Sequence, residues 1–288
     1  MPNQRVPAVA PWVAAGQFRI ALGVEYKGSN YHGFQLQEAG TPSIQGHLEE
    51  ALQKINAGLP VRLSCAGRTD AMVHACGQVV HFDTSIERSM RAWMMGANRY
   101  LPKDISVVWA QAMPQDFHSR FSAVARRYRY VIYSDAVRPA HLAEEITWTH
   151  RALDIEKMRA AARCLVGTHD FNALRAAGCQ AHSPVRTIYH LRLLTFGKLI
   201  IIDVRANAFL HHMVRNIAGV LMMVGAGDRP IEWVQEVLSS CDRKAAGVTA
   251  PPHGLYMVQV EYPEQFTLPE RYLGPHFLSG LPDIFENQ

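Results

Sequence analysis

The sequence predicts an α+β fold in two halves that share one element order, strand–helix–strand–strand–helix–strand. Three observations carry this. Short β-branched and aromatic runs alternate with segments of helical apolar spacing. Their order in the first part of the chain recurs in the second and is that of the ferredoxin-like motif, although no residue-level repeat accompanies it. The chain has 288 residues, 48% apolar and 19% charged, a folding composition for one large domain or two modest ones. The expected divisions are a disordered leader over 1–17, an N-terminal half over 18–114, a C-terminal half over 115–262 and a surface tail over 263–288.

In the first half, Phe18 to Tyr26 is β-branched and aromatic, bounded by Gly28 and Ser29, and reads as a strand. Gly28 to Gln37 is polar and reads as a loop. Ser43 is a cap candidate ahead of Ile44, Leu48, Ala51, Leu52 and Ile55, whose spacing gives an amphipathic helix. Val61 to Cys65 and Gln78 to Asp83 are short strands around the turn-like stretch Ala66 to Gly77. Ser89 to Tyr100 is a helix stopped by Pro102, and Ile105 to Ala110 is a strand.

In the second half, Arg127 to Tyr133 is a strand. Asp154 can cap a helix carrying Ile155, Met158, Ala162, Leu165 and Val166. Thr187 to Leu194 and Leu199 to Val204 form a hairpin around Gly197. His211 to Val224 and Ile231 to Leu238 are helices, and Leu255 to Tyr262 is the closing strand.

Several classes drop out. No apolar run approaches the roughly 18 residues of a membrane span. Pro7 and Pro11 interrupt the early apolar stretch, against a signal peptide. Five scattered cysteines, an odd number without a Cys-x-x-Cys, indicate neither a disulfide framework nor a thiolate metal site, and fit a reducing cytoplasm. The net charge is only +4. It is unevenly spread. Phe117 to Ser134 carries four arginines and no acid, and Phe171 to Gly227 carries six cations against Asp203, which leaves a mildly acidic remainder. Such segments suit a nucleic-acid enzyme if folding brings them to one face with Arg68.

Gly225-Ala226-Gly227 follows a helix and lacks a third glycine, so it reads as a helix stop rather than a dinucleotide fingerprint. His211 and His212, as neighbours on a helix, would face different ways, one packing and one meeting solvent or a ligand; a metal is the poorer reading. On the Arg127–Tyr133 strand, Tyr128 and Tyr130 share one face and Arg127 and Arg129 the other. Cations beside aromatics suit phosphate contact and base stacking, and an ordinary edge strand has the same pattern. In Cys65 to Phe82, Gly67 permits a sharp turn and Asp70 sits on a loop between strands, two positions from Arg68. An aspartate in such a turn can cap backbone N–H groups or carry chemistry.

Gly67-Arg68-Thr69-Asp70-Ala71 with Val73-His74 resembles the catalytic loop of the tRNA pseudouridine synthase A family. Further stretches agree in the same order: Tyr26-Lys27-Gly28 to Gly33-Phe34-Gln35, Phe117 to Ala123, Arg126 to Tyr130, Asp170-Phe171, Ala206 to Phe209 with Arg215-Asn216, and Gly254-Leu255-Tyr256. The resemblance covers roughly Phe18 to Leu278. It implies the pseudouridine synthase fold, with two halves around one central antiparallel sheet. It also implies isomerisation of uridines in the tRNA anticodon stem-loop, at tRNA positions 38, 39 and/or 40, by a cytoplasmic homodimer with no metal and no cofactor. It assigns the nucleophile to Asp70, the aromatic near the uracil to Tyr128, the carboxylate's charged partner to Arg215, an RNA contact to Arg68 and an aliphatic wall to Leu255. His74, Arg120 and Arg126 fall in its motifs as further substrate-binding candidates.

One position departs from the family pattern, which usually has glycine after the Asp-Ala pair; here it is Met72. If that position needs a positive φ, methionine is strained there. An anionic Asp70 could attack ribose C1′ or uracil C6, or assist elimination at C2′, and a buried Arg215 beside it would keep it ionised. Read from residues alone, two other classes stay open. One is an RNA-binding module without catalysis, such as a non-catalytic tRNA-binding protein, in which Asp70 has no task. The other is a small-molecule enzyme with Asp70 and His74 as an acid–base pair.

Overall fold

The computed structural model describes residues 16–38 and 40–280. Residues 1–15 of the leader expected over 1–17, and residues 281–288 of the tail, thus lie outside the described residues. In chain order the elements are β1 (Phe18–Tyr26), α1 (Ile44–Ile55), β2 (Ser64–Cys65), β3 (His74–Thr84), α2 (Met90–Tyr100) and β4 (Ile105–Met113), then β5 (Ala125–Ser134) and β6 (Thr147–Thr149). They continue with α3 (Ile155–Ala162), β7 (Gly167–Asp170), β8 (Val185–Phe196), β9 (Leu199–Ala206), α4 (Met213–Gly225), α5 (Trp233–Ser240) and β10 (Leu255–Glu261).

The caps explain the helix starts. Ser43 Oγ accepts from Gly46 N–H, Ser89 from Ala92 N–H, and Asp154 from the N–H groups of Glu156 and Lys157. α4 ends at Gly225, and Gly227 has φ +80°, the helix stop expected there. α3 is shorter than expected: it gives way to a 3-10 turn at Arg163–Leu165, and Val166 is exposed.

Ten strands form one sheet in the order β4-β1-β3-β10-β5-β9-β8-β7, with β2 paired to β3 and β6 to β5. Each half follows the ferredoxin-like arrangement: β4-β1-β3-β2 in the first, β10-β5-β9-β8 in the second. The sheet is mostly antiparallel, as expected, with a parallel exception that joins the halves. The seam between halves is parallel, Tyr256 opposite His74 and Met257 opposite Ala75. This pairing explains why β3 starts at His74 rather than Gln78, since its first residues find their partner in the other half. β6 and β7 were also not expected from the sequence.

β2 and β10 share one edge of β3. β2 pairs at Val80 and His81, β10 at His74 and Ala75, and the loop carrying Asp70 leaves β2 where β10 comes in. α1 and α2 cover the first half around Leu22, Leu48, Phe82 and Trp93. α3, α4 and α5 cover the second around Ile202, Ile217, Leu221 and Val237. Each such buried side chain contributes roughly 1.5–3 kcal/mol. Tyr128 packs against both cores and so stands at their junction. The opposite face holds a smaller cluster around Val131, Ile201, Tyr256 and Leu278, so part of the tail lies over the sheet.

Candidate active site

The Asp70 loop is built by backbone contacts with its neighbours. Ala66 N–H donates to Val79 O, Phe34 N–H to Thr69 O and Met72 N–H to Tyr31 O. Gly28 and Gly33 lie so close to it that a Cβ would meet Val73 O at 2.0 Å and Thr69 O at 2.8 Å, so the loop before α1 needs glycine at both points. Gln78 Nε2 donates to Gly67 O at 2.7 Å, and the hydroxyls of Tyr26 and Thr69 are 2.8 Å apart. Val73 N–H closes a turn onto Asp70 O at 3.2 Å. Met72, at its third position, has φ +64°, which is the strained conformation that the substitution of glycine at this point foreshadows.

Three side chains at and just before the start of α4 surround Asp70. His211 Nε2 lies 3.3 Å from Oδ1, His212 Nε2 3.4 Å from Oδ2, and Arg215 Nη1 3.8 Å from Oδ2. The Asp70 side chain is 27% exposed, so the carboxylate is part-open. Arg215 is the more buried partner, with Nε donating to Ala250 O. Burial draws its guanidinium somewhat below the ordinary value, and the Asp70 charge opposes this. Burial likewise lowers His212, against the pull of Asp70, which leaves a neutral imidazole beside the carboxylate at pH 7.

The two histidines are what sequence reasoning missed. On a helix they would diverge, but α4 begins at Met213, and His212 precedes it with φ +60°. That left-handed residue lets both rings, 4.0 Å apart, turn to the same carboxylate. The signal available was the pair's position just before a helical apolar run. The donor atoms of Asp70, His211 and His212 lie within 4.8 Å of one another, a spacing a divalent cation could bridge. Arg215 already supplies positive charge at the same carboxylate and opposes a second cation.

Tyr128 stands at the junction of the two cores, close enough to this group to feel the Asp70 charge. Its ring packs edge-on to Phe209 at 5.0 Å, and its hydroxyl lies 3.8 Å from where a Cβ on Gly67 would stand. Burial, with the Asp70 charge adding to it, raises its phenol far above the ordinary range, so the O–H stays protonated. Leu255 is buried in the same core as Val73 of the Asp70 loop, while Arg68 is exposed on that loop.

Other candidates sit differently. Arg126 serves the loops rather than the surface: Nη1 donates to Ala123 O and Asn207 O, and Nη2 to Ala66 O and Arg120 O. One guanidinium thus ties the loop before β5, the start of the Asp70 loop and the approach to His211. Arg120 is exposed on the first of these. His74 faces the opposite side of the sheet. Its ring stacks on Tyr256 at 4.7 Å, Nδ1 accepts from Gly28 N–H at 3.0 Å, and Nε2 lies 3.0 Å from Glu144 O. Arg127 and Arg129 share that opposite face, and both donate to buried Asp203, as His190 also does.

A part-exposed carboxylate with a fixed cation, two imidazoles and an aromatic ring nearby can act as nucleophile or in proton transfer. A family model described as tRNA pseudouridine synthase matches residues 23–122 and 161–263. A protein of Pseudomonas aeruginosa named tRNA pseudouridine synthase A is 68% identical over 278 residues, 96% of this chain and 97% of its own. The chain belongs to the tRNA pseudouridine synthase A family. Relatives of the same name in Pseudoalteromonas atlantica (56% identical, 91% of this chain, 98% of theirs) and Coxiella burnetii (53%, 90% and 99%) agree. Pseudouridine synthases are isomerases, and so is this chain. The family's matched stretches contain Asp70, His211, His212, Arg215 and Leu255; Tyr128 falls in the interval between them.

Proposed function

We propose that this synthase isomerises uridine to pseudouridine in the anticodon arm of tRNA, at one or more of the positions named above, with Asp70 as the nucleophilic carboxylate. The family and the names of its relatives support tRNA as substrate. The observation that carries the role of Asp70 is its side chain on a loop between the two cores, open to solvent on one side and facing Arg215 and two imidazoles on the other.

The reaction breaks the N1–C1′ bond, forms C5–C1′ with the same base, and moves one proton from C5 to N1, so it balances without a further reactant. Attack at C1′, attack at C6 and assisted elimination at C2′ each begin from the anionic carboxylate, whose charge Arg215 stabilises. Tyr128 stacks on the uracil or relays the C5 proton, and Leu255 walls the pocket. Arg68, exposed on the loop, contacts the RNA. The target base leaves its stack to reach Asp70, which costs a few kcal/mol that backbone contacts offset. The active form is a cytoplasmic homodimer gripping one tRNA.

Asp70→Asn tests the assignment. Pseudouridine formation on unmodified tRNA, read by tritium release from C5, falls to background, while tRNA affinity stays within a few-fold of wild type. Retained turnover by this variant refutes the role of Asp70.

A further inference from the structure

Phe121 is 67% exposed, more than any other aromatic side chain among the described residues. A single exposed apolar residue is ordinary on a protein surface. This one is mounted with unusual firmness. It follows Ser119, which is fully buried: Ser119 N–H donates to His81 Nδ1 at 3.2 Å, its Oγ donates to Ser64 O at 2.9 Å, and its carbonyl accepts from Tyr262 O–H at 2.6 Å. Ser122 N–H closes the loop onto His118 O, and Phe121 N–H points to His118 Nδ1 at 3.3 Å. The Phe121 ring lies 4.4 Å from that of His118, and the Arg120 guanidinium stands 5.7 Å from its centre.

The loop is also coupled to the candidate active site. The same nitrogen of Arg126 holds Arg120 O at 2.8 Å and Ala66 O at 3.0 Å, and Ala66 stands four residues before Asp70. A rigid, outward aromatic ring flanked by a cation and an imidazole, at the margin of the Asp70 loop, has the chemistry that binds a nucleobase by its face. A peptide partner would find little apolar area here, Phe121 and the half-exposed Val124 alone among the loop's large apolar side chains, whereas an RNA strand finds a stacking surface with a guanidinium at its edge.

We infer that Phe121 is a stacking platform for an unpaired base of the tRNA next to the extruded uridine, with Arg120 contacting the adjoining phosphate. This rests on the proposed activity and adds a binding residue to it. Platform contacts made equally in the bound and reacting complexes change affinity rather than turnover.

The test measures KM and kcat for pseudouridine formation, and Kd for tRNA in the Asp70→Asn background, with Phe121→Ala, Phe121→Leu and Phe121→Tyr. Phe121→Ala raises KM and Kd about tenfold or more, with kcat within about twofold, as expected for a lost base stack. Phe121→Tyr restores both, and Phe121→Leu does not, because it keeps bulk and apolarity without a π face. Unfolding midpoints stay at the wild-type value, since the side chain is exposed. An unchanged Kd in Phe121→Ala, or full rescue by Phe121→Leu, overturns the platform while wild-type activity upholds the broader reading. A wild-type protein that leaves the anticodon arm unmodified overturns both.

Discussion

At the scale of single residues, the site shows what a sequence hides and what it reveals. Asp70 was legible because a short polar run between two strands had to be a loop. Its companions were not, because His211 and His212 converge only through a left-handed residue just ahead of α4, and residue order alone suggests a helix that would part them. A left-handed non-glycine residue at a site of chemistry is strain that the surrounding contacts must hold. Met72 carries the same strain with a clearer remedy. Its φ of +64° costs an L-residue roughly 1–2 kcal/mol, and glycine would relieve this at an entropic cost of roughly 0.5–1 kcal/mol. Met72→Gly therefore stabilises the protein by about 1 kcal/mol or less and leaves turnover near wild type. Urea unfolding followed by fluorescence reads this; a loss of stability would show that the methionine side chain contributes more by packing than its backbone costs.

Between residue and molecule, the elements position the site through two neutral histidines that no periodicity picks out. His74 at the head of β3 accepts from Gly28 N–H and so holds the loop before α1, while His81 further along accepts from Ser119 N–H and holds the loop before β5. Burial lowers His74 to about 4; burial, with the charges of His118 and Arg19, lowers His81 to about 3. His74 stands apart from Asp70 for the same reason that β3 begins early. Its register partner is Tyr256 of β10, so its ring lies on the face away from Tyr128. The unfolded chain binds protons at both histidines near pH 6.5, where the folded chain does not. Stability is thus full above that pH and is lost as pH falls toward 4 and then 3, on the order of a few kcal/mol in all. His74→Gln keeps an acceptor and a donor without titrating. Urea midpoints of this variant fall less steeply between pH 6.5 and 4 than those of wild type, and an identical slope would contradict the role given to burial.

For the molecule as a whole, the charge pattern changes meaning once folded. The basic stretches of the sequence invite a phosphate-binding face, yet much of their charge is engaged inside the protein. Arg127 and Arg129 meet Asp203, which burial would raise but which His190 and the two arginines hold far below the usual carboxylate range. Arg205 makes a bidentate pair with Glu261, Lys198 meets Asp135, Arg215 faces Asp70, and Arg126 is given to four carbonyls. The acids that neutralise these cations come largely from other strands, so a count along the chain could not foresee them. The proposed phosphate contacts therefore fall to exposed cations such as Arg68 and Arg120. Each phosphate contact contributes roughly 0.7–0.9 to the slope of log affinity against log salt. Arg68→Ala and Arg120→Ala each flatten that slope by about this amount and leave the unfolding midpoint unchanged. Arg127→Gln does the reverse: it exposes no missing phosphate contact, so the slope stays, while the buried Asp203 loses a partner and the midpoint drops. Filter binding from low to high salt, run beside urea unfolding on the same three proteins, separates the two kinds of arginine; a flattened slope for Arg127→Gln would return the second face of β5 to the RNA.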